Sequence, residues 1–168
     1  TQPTSVAFNS DGTKMFVMGL NGDDVNEYSL STGFDLTSTV TFVDSFSFAS
    51  EETDPEDFSF NNDGTKMFIT GNTGDTIEEY TLSTGFDVSS ASHTRSMDIS
   101  SYENSVRGIA FNGDGTRMFI SGQQNNQIHE FTLGSAFNIS SPTYVGAVRL
   151  DSYDIYNEDM VFNNDGSK

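Results

Sequence analysis

Apolar and polar residues alternate along short stretches of this chain, and the same stretches return at a fixed interval. SVAFN (5–9), DFSFN (57–61), GIAFN (108–112) and DMVFN (159–163) each send two apolar side chains to one face: Val6 and Phe8, Phe58 and Phe60, Ile109 and Phe111, Met160 and Phe162. A period of two over so few residues predicts a strand. Asn-x-Asp-Gly follows each one. It predicts a tight reversal, because Asn and Asp bond their own backbone and Gly accepts positive φ. Second strands are then expected at TKMFVMG (13–19), TKMFITG (65–71) and TRMFISG (116–122), and third strands at DVNEYSL (24–30), TIEEYTL (76–82) and QIHEFTL (127–133). A more divergent fourth strand falls near 40–48, 92–99 and 143–150, with Phe46, Met97 and Val148 in equivalent places. No stretch sustains a helical period.

The turn aspartates Asp11, Asp63, Asp114 and Asp165 are spaced by 52, 51 and 51 residues. EYSLSTGFDL (27–36), EYTLSTGFDV (79–88) and EFTLGSAFNI (130–139) keep the same register. A unit of about 50 residues holding four short antiparallel strands matches a β-propeller blade. A β-solenoid is the second choice, since its coils are shorter and need no hairpin at one fixed place. The expected fold is therefore all-β: a partial β-propeller of about three four-stranded blades plus the start of a fourth. The repeats are 1–52, 53–103, 104–154 and an incomplete 155–168, with the strands at 5–9, 57–61, 108–112 and 159–163 innermost.

Composition narrows the function. The 168 residues carry 25 acidic and 7 basic side chains, a net charge of -18. That balance argues against nucleic acid, which needs cations to neutralise phosphates, and against anionic membrane surfaces. A solvated acidic surface is the plain reading, and calcium is the cation left open by it. There is no Cys, so disulfides, thiolate metal sites and cysteine nucleophiles are out. The 15 Phe and 6 Tyr supply the large apolar side chains of a core.

The Asn-x-Asp-Gly-Thr-Lys-Met-Phe core, preceded at the first unit by Pro-x-x-Val-Ala-Phe, resembles the repeats of YVTN-type and lactonase-like propellers. It is closer still to the tandem Asp-Gly-Thr-Lys-Met-Phe repeats of marine bacterial and phage proteins. The resemblance spans the chain and implies the fold more than any activity. Val106 and Asn157 stand where the first two units have Pro3 and Pro55, and the fourth unit stops at Lys168.

Propeller connectivity puts the Asp-Gly turns and the Ser-Thr-Gly-Phe-Asp segments on one face. They are nearly the same in each unit, as a structural device must be. The other face varies, and its between-blade loops, 49–57, 100–108 and 151–159, collect acids and tyrosines. The candidate ligand-binding residues are Glu56, Tyr102, Glu103, Arg107, Tyr153, Tyr156 and Glu158, because rings beside acids and amides can stack on sugars or contact a protein. Thr4, Glu56, Arg107 and Glu158 precede each inner strand and should approach the channel. The lactonase-like resemblance implies a divalent metal at that level, but Arg107 and Thr4 break the carboxylate set, so no metal ligands and no catalytic residues are assigned. His93 and His129 hold different repeat positions, and His129 is expected on an exposed strand face. Glu27, Glu79 and Glu130 recur once per blade, which favours a structural bond to Lys14, Lys66 or Arg117.

The leading expectation is a non-catalytic binding or adhesion module for a glycan or protein, within a larger secreted, cell-surface or phage-tail protein. A lactonase-like metal-dependent hydrolase and a purely architectural repeat are the alternatives. Three blades leave apolar faces uncovered, so either the chain is a piece of a longer protein or copies are expected to associate to complete a ring, a dimer first.

Overall fold

The computed structural model describes residues 2–124, 126–150 and 159–162. Three antiparallel sheets follow one another, each with its four strands in sequence order. The first holds β1 (Pro3–Phe8), β2 (Lys14–Gly19), β3 (Asp24–Leu30) and β4 (Val40–Ser47). The second holds β5 (Pro55–Phe60), β6 (Lys66–Gly71), β7 (Thr76–Leu82) and β8 (Ala91–Asp98). The third holds β9 (Val106–Phe111), β10 (Arg117–Gly122), β11 (Gln127–Thr132) and β12 (Thr143–Arg149). Apart from one short 3-10 turn, Val88–Ser90, no helix occurs among the described residues. This is a partial β-propeller, and β1, β5 and β9 pack side by side on its inner edge.

Each Asp-Gly turn among the described residues is closed by its own side chains. Asp63 accepts hydrogen bonds from the backbone N–H and the hydroxyl of Thr65, at 3.0 and 2.5 Å, which hold its carboxyl below the usual carboxylate range. Gly64 sits at φ +70°, and a Cβ there would lie 2.3 Å from the Phe86 ring. Phe86, itself at φ 58°, donates its N–H to the Gly64 carbonyl. The Ser-Thr-Gly-Phe-Asp segment is thus a lock folded over the Asp-Gly turn, and the glycine serves both backbone and packing.

The core lies between blades. One cluster joins Phe16, Met18, Val25 and Phe48 of the first blade to Phe58, Met67, Ile69, Tyr80 and Val88 of the second. Another joins Phe68, Ile77 and Met97 to Ile109, Met118, Phe131 and Ile139. One ring contact recurs at each step: Phe16 on Phe60 at 4.7 Å, Phe68 on Phe111 at 4.7 Å, Phe119 on Phe162 at 4.6 Å.

The recurring glutamates form the expected bond and extend it. Glu27 pairs with Lys14 at 2.7 Å and accepts the Val88 N–H of the second blade at 3.1 Å, while Lys14 also donates to the Phe86 carbonyl at 2.6 Å. Lys66 repeats this with Glu79, at 2.7 Å, and the Phe137 carbonyl, at 2.8 Å. The pair is a clamp holding the next blade's lock.

His129 departs from expectation. It is buried, with the Tyr144 hydroxyl 3.4 Å from Nδ1 and Tyr102 packed nearby, and burial pulls its pKa below the usual histidine value. A strand face that is solvent-exposed in a single sheet faces the preceding blade here. Glu78, in the same repeat position, is buried for the same reason.

Candidate functional site

A β-bulge starts every inner strand. Pro3 pairs with Gly19 and Ser5 with Met18; Pro55 pairs with Gly71 and Asp57 with Thr70; Val106 pairs with Gly122 and Gly108 with Ser121. Thr4, Glu56 and Arg107 are the residues skipped in each ladder. A bulge frees one residue from pairing and re-aims its side chain. The three converge on an open pocket of about 380 Å³ at the inner edge, which Ser5, Asp57 and Asp159 also line.

Arg107 and Glu56, from neighbouring blades, form an ion pair there, each side chain about 20% exposed. Glu56 Oε1 also accepts the Asn72 amide at 2.7 Å. Arg107 reaches Ser105 Oγ at 3.5 Å and Gln123 Oε1 at 3.4 Å. Thr4 Oγ1 and Arg107 Nε are buried without a partner among the described residues. The pocket wall therefore holds a cation, an anion and the Gln2 amide, with the unpartnered Thr4 hydroxyl buried beside them.

Asp57 is a strut beneath this wall. Its Oδ1 accepts Ser5 Oγ at 2.6 Å and its own strand's Phe58 N–H, and Oδ2 accepts the Ile109 N–H at 2.9 Å. One carboxylate so ties three inner strands together. Burial, with the nearby charge of Asp159, pushes its pKa up to about 6.

The remaining candidates divide. Glu103 is buried, and its Oε1 accepts the N–H groups of Asn104, Ser105 and Gln124 at 2.9–3.2 Å, fastening the between-blade loop to the β10–β11 loop. Glu52 does the same one blade earlier, with Asp54 and Thr73. Tyr102 packs edge-on to Phe131, with ring centres 5.0 Å apart, and lies 4.7 Å from Tyr144. Glu103 and Tyr102 thus shape the loop, while Glu56 and Arg107 reach the pocket. Tyr153, Tyr156 and Glu158 lie outside the described residues. Sequence reasoning missed Asp57, Asn72 and Gln123 as partners; the signal was that each shares a blade position with residues beside the bulge.

A divalent cation does not fit this donor set. The Arg107 guanidinium already neutralises the Glu56 carboxylate, Thr4 adds only a hydroxyl, and no three His, Cys, Asp or Glu side chains group to hold an ion among the described residues. The second blade does contain a serine, a histidine and a glutamate in contact. However, Ser96 Oγ and His93 Nε2 both bond Glu78 Oε2, each at 2.6 Å, so the histidine is not wired to the serine as a base.

No protein-family model matches the sequence, and no curated protein matches it. Solved structures do resemble it. A 6-phosphogluconolactonase candidate from Bacteroides fragilis superposes with a TM-score of 0.67 at 15% identity, over 98% of this chain and 45% of its own. The periplasmic gluconolactonase of Pseudomonas aeruginosa gives 0.61 at 12% identity, over 88% of this chain and 39% of its own. The β-propeller domain of Myceliophteria thermophila Cps50 (Swd1) gives 0.56 at 14% identity, over 88% of this chain and 43% of its own. The chain spans less than half the length of each. With identities this low the likeness speaks for architecture alone: this chain has a partial β-propeller fold, the architecture it shares with these neighbours.

Proposed function

We propose that the chain is a non-catalytic binding unit whose inner-edge pocket holds a small, neutral, polyhydroxylated ligand, a carbohydrate in class. The observation that carries this reading is the Arg107–Glu56 pair, supplied by two bulges and set beside the unpartnered Thr4 hydroxyl. A sugar hydroxyl both donates and accepts, so adjacent hydroxyls can bridge a guanidinium and a carboxylate without breaking their charge balance. An anionic ligand is disfavoured by the net charge of -18. The test is a glycan array with and without calcium, followed by calorimetry on Arg107→Ala and Thr4→Val. Binding that falls at least tenfold in both variants supports the pocket. Binding that survives both moves the site elsewhere, and an empty array favours the architectural reading.

Lactone hydrolysis is the second reading, favoured by the likeness to the Pseudomonas aeruginosa gluconolactonase. Its test is the opening of an aldonolactone with and without added divalent metal. Turnover above background that is lost in Glu56→Gln would replace the first reading.

A further inference from the structure

An asparagine before a glycine is prone to lose its side-chain amide, because no Cβ keeps the glycine nitrogen from reaching the asparagine Cγ. The chain holds two such pairs, Asn21–Gly22 and Asn112–Gly113. The fold treats them oppositely.

Asn112 opens an Asp-Gly turn, and both ends of its amide are engaged. Its Oδ1 accepts the Arg117 N–H at 2.9 Å, and its Nδ2 donates to Thr116 Oγ1 at 3.2 Å. Turning onto Gly113 would break both bonds. The Asp-Gly pairs at 11–12, 63–64 and 114–115 could pass through the same cyclic imide, and they are held as well. Gly12, Gly64 and Gly115 donate their N–H to the carbonyls of Asn9, Asn61 and Asn112, and each aspartate is bound by the threonine after the glycine. Asn104 is exposed, but the nitrogen that would attack it, that of Ser105, donates to Glu103 Oε1 at 2.9 Å.

Asn21 lies in the turn 20–23 between β2 and β3. It and Gly22 are exposed, and neither the Asn21 amide nor the Gly22 N–H has a hydrogen-bond partner among the described residues. The exposure belongs to the turn itself. Thr73 and Gly74 hold the same positions in the second blade, with a blade on either side, and they too are exposed.

We propose that Asn21 deamidates in the folded protein, while Asn112 and the described Asp-Gly pairs are protected until their turns open. The Gly22 nitrogen, its proton given up to hydroxide, attacks Asn21 Cγ. A C–N bond forms, the Cγ–Nδ2 bond breaks, and Nδ2 leaves as ammonia with a proton from water. Water then adds to either carbonyl of the imide and opens it to an aspartyl or an isoaspartyl link. Both products set a third carboxylate beside Asp23 and Asp24, on a chain already at -18. The isoaspartyl form also adds a carbon to the main chain, inside a turn whose flanks, Gly19 and Asp24, are paired. Conversion therefore loosens one loop of the variable face with age, while the guarded turns of the opposite face stay as they are.

The test is peptide mapping by tandem mass spectrometry after the whole chain has stood in mildly alkaline buffer, beside a sample unfolded in guanidinium chloride. In the folded sample the gain of one mass unit should appear at Asn21 at least tenfold faster than at Asn112, whose amide is freed only by local opening. In the unfolded sample the two pairs should convert at similar rates. Asn21→Gln, which copies Gln124 of the third blade, should keep the wild-type circular dichroism and abolish conversion in this turn. Folded protein that converts Asn112 as fast as Asn21, or that keeps Asn21 intact while the unfolded chain converts it, would overturn the proposal.

Discussion

Lys14 and Phe86, 72 residues apart, are joined by a 2.6 Å hydrogen bond from the ammonium of one blade to the main-chain carbonyl of the next. The same ammonium neutralises Glu27, whose carboxylate is only 2% exposed. A buried carboxylate is costly unless paired and hydrogen-bonded. The clamp therefore ties the cost of burying a charge to the presence of the neighbouring blade.

Lys14→Ala should destabilise the protein by about 2 kcal/mol. That is less than the ~3–5 kcal/mol expected for breaking a fully buried pair, because the lysine is one-third exposed. Arg117→Ala breaks the equivalent pair where both partners are more exposed and should cost at most about 1 kcal/mol. Urea titration of the two variants checks the difference; equal losses would deny the clamp its role.

Gly64→Val should cost about 3 kcal/mol. Positive φ resists a β-branched residue, and the new Cβ meets the Phe86 ring. Thr73→Val, in an exposed loop of the variable face, should cost about 0.5 kcal/mol. Thermal unfolding of both is the measurement, and similar midpoints would count against the lock.

Asp57 gives the fold a pH dependence of unusual sign. Its folded pKa of about 6 lies above the ordinary 3.8, so the folded state binds the proton more tightly than the unfolded chain does. Its contribution is fully present below pH 4 and is lost as pH rises through 6, by up to about 3 kcal/mol. The turn carboxylates Asp11, Asp63 and Asp114 act the other way, since their lowered values stabilise the fold above pH 4 and less so in stronger acid. Stability should therefore peak near pH 4–5. Asp57→Asn should flatten the decline between pH 4 and 7 in urea midpoints, whatever it does to absolute stability. A variant that keeps the wild-type slope would refute the assignment.

Strand order, turn chemistry and the inner position of the Phe-bearing strands were legible because local rules repeat in every unit. Asn61, Asp63, Gly64 and Thr65 settle a reversal among themselves, with no distant partner needed. The Glu27–Lys14 bond was also legible, since cross-strand neighbours share one sheet. Its extension to Phe86 and Val88 was not, because the sequence gives the register within a blade but not the offset between blades. The burial of His129 and of Glu103 was hidden for a related reason. Alternation predicts one wet face per sheet, whereas a blade between two others has none, and a polar loop can fold its acid inward onto its own amides. The Arg107–Glu56 pair needed the bulge, a one-residue slip that no pattern in Thr4, Glu56 and Arg107 announces.

The clamp also bears on how such a chain can lengthen. Each unit carries a basic residue and a glutamate aimed forward and a lock carbonyl presented backward, so any unit fits behind any other. An in-frame duplication of one unit in the coding sequence would insert a blade whose two interfaces match its new neighbours from the start. No compensating substitution is required for the copy to fold. Growth and loss of blades by recombination between repeats are then structurally silent at the joint, and the residues free to diverge are the bulge and loop positions, where Thr4, Glu56 and Arg107 already differ.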